Sequence, residues 1–521
     1  MLVWQLWPMQ HLSFRPFTRH YYPPAPGSKH QMDHNSDTQQ RPPPPNLSEV
    51  KSGHVEDESL LPDRKEARRL FFKIDLRIIP FIALLYICSF LDRVNIANAK
   101  VAGLVEDLGM SDDMYNWAVS IFFISYVIAD VPSNLMLKFV GPRRWIAAIM
   151  ITWGTITAAM AAVKNGSGLL AARFFLGLAE AGLYPAVVYL LSVWYPRKVQ
   201  GLRTALATSS ASNLAGAFGG VLAYGIMHMD GLQGLHGWQW IFIIEAIPTL
   251  VIAICVYFLL PDYPETCKFL TPDEQEKVTR LIEHDSPSRE KHFSWKQVRM
   301  AFTDWKMYAF GSIYLLSATC MYAYAMFLPT IVVGMGYSSL SAQLMSAPPY
   351  GVGFVLTVIT AYTSDRFLER GFHLTAISLV GMIGYILLAT LGEDVPVVGH
   401  YIAAIIVGCG IFPLSINTAW MNNNQGGRTK RAVVIAVFTM MANLGGVIGG
   451  QLYRADDAPR YIRGHTICAV FMGVTCLLIL GTKWGLYREN KRRDAMTHEE
   501  YMAACQGTDL CDNHPDYRYI L

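Results

Sequence analysis

Long apolar runs recur along this chain from about residue 74 to about residue 485, separated by short polar turns. Segments 145–163, 238–260 and 401–420 are 19 to 23 residues long. A helix of about 20 residues crosses the hydrocarbon core of a bilayer. Lipid offers a backbone no hydrogen-bonding partner, so each crossing segment must satisfy its own N–H and C=O groups as a helix. Serial runs of this length therefore predict an all-α membrane protein. Composition agrees: 52% of the 521 residues are hydrophobic and only 16% charged, against about a quarter charged in soluble domains.

The runs predict twelve spans, at about 75–100, 115–139, 143–163, 168–195, 203–228, 238–260, 305–333, 341–364, 373–392, 397–420, 430–454 and 461–485. Residues 1–70, with Pro42 to Pro45 and no apolar periodicity, read as a disordered tail. The domains are then this tail, a first six-helix half at 71–260, a central loop at 261–304, a second half at 305–485 and a tail at 486–521. In the central loop, Thr271-Pro-Asp-Glu274 reads as a helix start with a capping box. Basic residues gather in alternate loops (Lys138, Arg143 and Arg144; Arg197, Lys198 and Arg203; Arg366 and Arg370; Arg428, Lys430 and Arg431). By the positive-inside rule both tails and the central loop face the cytoplasm.

The two halves repeat. Gly182-Leu-Tyr-Pro185 in helix 4 matches Gly410-Ile-Phe-Pro413 in helix 10, an offset of 228. Asn213-Leu-Ala-Gly-Ala-Phe-Gly-Gly220 in helix 5 matches Asn443-Leu-Gly-Gly-Val-Ile-Gly-Gly450 in helix 11, an offset of 230. Six helices plus six, joined by a cytoplasmic loop, is the build of major-facilitator transporters. The GxxxG spacings in helices 5 and 11 suit close helix packing and are no dinucleotide fingerprint, because no strand precedes them.

Ionisable residues at membrane depth are costly and point to function. Here they are lopsided: helices 1, 2, 4 and 6 carry Asp92, Arg93, Asp130, Arg173, Glu180 and Glu245, and the second half carries almost none. Arg173, Gly177 and Glu180 share one helix face. About 10 Å of rise separates Arg173 from Glu180, so the two should have different partners, with Gly177 leaving room for a ligand or another helix. Arg93 and Arg173 should lie at similar depth, with Glu180 deeper. This pattern suits arginines that bind a carboxylate and a Glu180, with Asp92, that exchanges the proton; a purely structural Arg–Glu network is the competing reading. Tyr322, Tyr324, Tyr350, Asn417, Trp420 and Asn443 could line the second half's side of a cavity.

Several segments together resemble the fungal allantoate permease family, the anion:cation symporter group of the major facilitators. They include Asp92-Arg-Val-Asn-Ile-Ala, Asp130-Val-Pro-Ser-Asn-Leu, Gly141-Pro-Arg-Arg-Trp145, the stretch from Arg173 to Pro185, Phe242-Ile-Ile-Glu245, Ala347-Pro-Pro-Tyr350, Ser364-Asp-Arg366 and Asp457-Ala-Pro-Arg-Tyr461. The resemblance runs over about 75–485. It implies proton-coupled uptake of carboxylates such as nicotinate, allantoate, pantothenate or biotin, or of small peptides. The vesicular glutamate carriers, animal relatives of that family, have functional charges matching Arg93, Arg173 and Glu180. Where they use a helix 2 histidine, this chain has Val119. The superfamily's loop motif implies gating roles for Asp130, Lys138, Arg144, Asp365 and Arg366. It expects an acid where this chain has Lys138, and its second copy, Asp365-Arg366, keeps the acid.

The expectation is therefore a monomeric plasma-membrane symporter for protons and a small organic anion, with Arg93, Arg173, Tyr322, Tyr350 and Asn417 at the substrate. The alternatives are a non-transporting nutrient sensor and a drug or metabolite exporter; the absence of a Gly-Pro step at Phe218-Gly219-Gly220 argues against export. The nine cysteines show no CxxC spacing, there is no GxxxxGK[ST], and a net charge of +3 says little about partners; no nucleic-acid partner is expected. No metal, cofactor or enzymatic activity is expected.

Overall fold

The computed structural model describes residues 62–285, 294–367, 369–411, 414–505 and 511–521. The first half comprises α1 (Arg64–Val101), α2 (Asp112–Val140), α3 (Pro142–Met160), α4 (Gly166–Glu180), α5 (Leu183–Trp194), α6 (Arg197–Met227) and α7 (Gly237–Leu259). The central loop holds α8 (Pro272–Asp285) and α9 (Trp295–Thr303). The second half comprises α10 (Trp305–Gly334), α11 (Ser339–Met345), α12 (Ala347–Phe367), α13 (Gly371–Thr390), α14 (Val397–Ile411), α15 (Leu414–Asn423), α16 (Arg428–Gly449) and α17 (Ile462–Asp494), and α18 (His498–Cys505) follows. No strand occurs among the described residues.

Among the described residues, ten helical stretches are long and apolar enough to cross a membrane, counting α4–α5, α11–α12 and α14–α15 as one each. The other two expected spans are also helical. α3 opens on Arg143 and Arg144 and carries three threonines, and the apolar part of α6, Ser212–Met227, is short. The expected disordered tail lies outside the described residues up to 61, and its last residues, from Arg64, begin α1. The expected capping box forms: Glu274 Oε2 accepts from Thr271 N at 2.9 Å, and Thr271 Oγ1 accepts from Glu274 N at 3.3 Å.

Packing follows the repeat. In the first half α1 packs on α6, α3 on α7 and α2 on α4; in the second, α10 packs on α16, α13 on α17 and α12 on α14. Between halves, α6 meets α12, α2 meets α16, and α1 meets α10. The glycines supply close approach. A Cβ on Gly445 or Gly449 would meet the α10 backbone at Leu315 and Thr319 within 3 Å. One on Gly446 would meet the Phe123 ring at 2.5 Å, and one on Gly220 the Gln343 carbonyl at 2.5 Å.

The expected helix 4 is two helices. α4 ends at Glu180, and Gly182 takes a left-handed φ of 101° before α5 begins. A Cβ on Gly182 would lie 1.8 Å from Ser133 Oγ, so both the backbone and the neighbour require glycine. This break lies where Gly182-Leu-Tyr-Pro185 stands; in its repeat counterpart, residues 412 and 413 lie outside the described residues. Interrupted helices of this kind mark binding sites in transporters.

Candidate functional site

Glu180, at the broken end of α4, has a fully buried side chain. Its Oε1 accepts from Ser89 Oγ at 2.5 Å and pairs with Arg93 Nη2, both from α1. Its Oε2 has no hydrogen-bond partner. Arg93 also donates through Nη1 to the Tyr322 hydroxyl of α10 at 3.2 Å. Its guanidinium lies 5.4 Å from the Phe122 ring centroid and 5.3 Å from that of Tyr126, a placement that favours a cation. The Arg93 side chain keeps 13% exposure. One arginine thus joins the acid of the first half to a hydroxyl of the second.

Arg173 is placed differently. It is 1% exposed and donates through Nη2 to Asn95 Oδ1 of α1 at 2.9 Å. Asp92 is fully buried and accepts on Oδ2 from Trp153 Nε1 at 3.1 Å and Thr249 Oγ1 at 3.0 Å. Asn95 lies beside Glu245, yet neither its amide nitrogen nor either Glu245 oxygen completes a hydrogen bond. Arg173 and Glu180 do have different partners, as their spacing predicts. Arg93 and Glu180 nevertheless pair directly, an arginine side chain being long enough to bridge the depth difference that the spacing predicts. At Gly177 the room is taken by a helix: a Cβ there would meet Ser125 Oγ at 2.1 Å and the Phe122 carbonyl at 2.2 Å.

In the second half, Tyr322 reaches Arg93. Tyr350 packs on Gly216 of α6 and lines a small inter-half cavity with Val94, Asn98, Ala325, Pro329 and Ser346. Asn417 is 1% exposed, and neither of its side-chain polar atoms has a partner. The other candidates have structural bonds: Tyr324 donates to the Ala404 carbonyl at 2.7 Å, Trp420 to that of Ile520 at 2.8 Å, and Asn443 to that of Thr439 at 3.1 Å.

The loop-motif residues lie at the end of the bundle where α1 begins and segment 511–521 packs. Asp130 leaves Oδ1 unbonded, Arg144 is exposed, and the Lys138 side chain lies outside the described residues. Arg143 rather than Arg144 engages an acid, Asp262, through its backbone N at 2.8 Å. Asp365 pairs with Arg370 at 2.5 Å, while Arg366 is exposed.

Two clusters escape a sequence reading. Arg203 of α6 forks onto both Asp75 oxygens of α1, at 2.7 and 2.9 Å. Lys430 contacts Asp304 and Asp512 at 2.6 Å each, and Lys306 contacts the same two acids at 2.9 and 3.1 Å. Asp512 belongs to segment 511–521, which packs against the second half. Arg493 donates to the carbonyls of Asp512, His514 and Tyr517, and Asn424 bonds the backbone of Ile520 in both directions.

Comparison with known proteins agrees with this architecture. Among solved structures, a bacterial homologue of the human lysosomal transporter Spinster superposes with a TM-score of 0.62, at 14% identity, covering 78% of this chain and 96% of that one. The xylose transporter XylE of E. coli gives 0.61, at 14% identity, covering 78% and 97%. Among relatives in sequence, an uncharacterized transporter of Schizosaccharomyces pombe is 36% identical over 465 residues, 88% of this chain and 91% of the relative. The MFS transporter prlL of a fungal species is 36% identical over 430 residues, 79% and 86%. The major facilitator-type transporter hxnP of Emericella nidulans is 31% identical over 470 residues, 88% and 94%. Residues 82–450 match the model of the Major Facilitator Superfamily. The family model and the relatives agree with the all-helical fold, and the chain belongs to the Major Facilitator Superfamily of membrane transporters.

Proposed function

We propose that this protein is a proton-coupled symporter of the anion:cation group, importing a small carboxylate such as nicotinate, allantoate or pantothenate across the plasma membrane by alternating access. The observation that supports this reading is Arg93, paired with Glu180 and bonded to Tyr322 across the junction of the halves. A desolvated site cannot cheaply hold two carboxylates on one guanidinium. A substrate carboxylate that takes Arg93 therefore displaces Glu180, which binds a proton and can then donate to Ser89. One anion and one proton load together, and the site stays neutral. Tyr322, Tyr350 and Asn417 offer hydrogen bonds from the second half. Arg173 serves the site from behind, by ordering α1 through Asn95. Asp130, Lys138, Arg144, Asp365 and Arg366 act at the cytoplasmic gate.

Uptake of radiolabelled nicotinate, allantoate and pantothenate by transporter-null cells tests this. Accumulation should rise as external pH falls, since one pH unit supplies about 1.4 kcal/mol per proton, and a protonophore should abolish it. Uptake indifferent to both would make the protein a uniporter.

A further inference from the structure

We propose that Glu245 is a proton-binding site separate from Glu180, holding the charge balance around Arg173. Three buried ionisable side chains from three helices act on one another inside the first half: Asp92 of α1 at 0% exposure, Arg173 of α4 at 1% and Glu245 of α7 at 4%. Arg173 donates to the neutral Asn95, and no ion pair joins it to either acid among the described residues. The pair of Arg93 and Glu180 is balanced within itself. The remaining cluster therefore sets one positive charge against two acids.

A buried carboxylate without a donor is costly enough to take up a proton instead. Hydrogen bonds donated to a carboxylate favour its charged form. Asp92 accepts two such bonds, from Trp153 and Thr249, and Glu245 accepts none on either oxygen. Asp92 thus carries the charge that balances Arg173, and the proton resides on Glu245. Among the described residues, the other ionisable groups near the cluster are few. From α1, Cys88 and Asp92 approach; from α2, Tyr115 stands beside Arg173; from α4 come Arg173 and Glu180, the latter already paired with Arg93. The ionisable side chains of α3 are Arg143 and Arg144 in its first turn; those described on α6 are Arg203 and Tyr224, toward its ends, with His228 just beyond it.

Protonation here is simple addition of H⁺ to a carboxylate oxygen, with no other bond changed. The proposal rests on the symporter reading only for its use in transport, where it adds a second proton site to the one at Glu180. A protonated carboxyl in a dry setting has an infrared carbonyl band distinct from that of a carboxylate, and deuteration shifts it. Purified full-length protein in liposomes at neutral pH should show this band. Glu245→Gln should lose it, while Asp92→Asn and Glu180→Gln should retain it. Glutamine has the shape of the neutral acid, so Glu245→Gln should also fold with wild-type yield and thermal midpoint. A band that survives in Glu245→Gln, a band lost only in Asp92→Asn, or collapse of the glutamine variant would each overturn the assignment. Nicotinate uptake by the same liposomes separates the two ideas. Proton-independent uptake with the band still assigned to Glu245 rejects the coupling mechanism and leaves the site.

Discussion

At the scale of single residues, the Arg93–Glu180 pair and the Arg173 cluster make different demands. Glu180→Gln keeps the size of a protonated glutamate but cannot release a proton, so it should bind and exchange substrate while losing accumulation against a gradient. Arg93→Ala leaves Glu180 buried without its partner, a loss worth about 3–5 kcal/mol, and should weaken binding more than a hundredfold in equilibrium binding of labelled substrate. Arg93→Lys keeps the charge without the planar fork and should recover only part of this. Arg173→Ala should act on folding first, lowering the thermal midpoint, because Arg173 bonds Asn95 inside the first half. Binding unchanged in Arg93→Ala protein at matched surface expression would exclude Arg93 as the anion partner. Charges in apolar helices are conspicuous in a sequence, so Asp92, Arg93, Arg173, Glu180 and Glu245 were all legible there. Their pairing was not, because a flexible arginine reaches over more than one helical turn. Arg203 was hidden for another reason: its charge reads equally well as part of a cytoplasmic loop, and only the fold brings it to Asp75.

At the scale of elements, the break between α4 and α5 sets where Glu180 ends and the second helical piece begins. Gly182→Ala would have to adopt a φ of 101° and displace Ser133, a strain of about 1–3 kcal/mol, and should lower the thermal midpoint and uptake together. The repeat of Gly-x-x-Pro in both halves was visible in the sequence, but the apolar run continues through each copy and so predicted unbroken helices. At the first copy, only the backbone dihedral of Gly182 reveals the interruption. The glycines of helices 5 and 11 were better read, since small residues at a spacing of four have few uses besides close packing. At Gly446 that packing joins the halves: Phe123 of α2 occupies the space a side chain would fill. Gly446→Leu should force α2 and α16 apart at the end where Asn116 meets Tyr453. Maleimide labelling of Asn116→Cys, whose native amide donates to the Tyr453 carbonyl, should become several-fold faster in that background. Equal labelling with and without the leucine would place the closure elsewhere.

At the scale of the whole molecule, the halves are alike in packing and unlike in chemistry, with the membrane-depth charges in the first and segment 511–521 packed against the second. Asp512 is fully buried; burial alone would raise its carboxyl, but Lys306 and Lys430 hold it below its ordinary value of 3.8. Its contribution to docking is complete above that value and is lost as pH falls through the lowered one. Protection of 511–521 from protease should therefore survive mild acid and fail only below the usual aspartate range. Asp512→Asn should lose that protection at neutral pH, because Asp304 alone cannot balance two buried lysines. The sequence presented this segment only as part of a cytoplasmic tail: nothing in its apolar pattern announces a partner, and its anchors, Arg493, Asn424 and the two lysines, are scattered over helices far apart in the chain. This arrangement has a consequence for synthesis. Lys306, Lys430 and Asp304 are all made before Asp512, so the cluster lacks one countercharge until segment 511–521 has been synthesised and docked. A stop codon placed just before position 512 would leave the two lysines facing Asp304 alone, a defect that arises only after the long helices have been made.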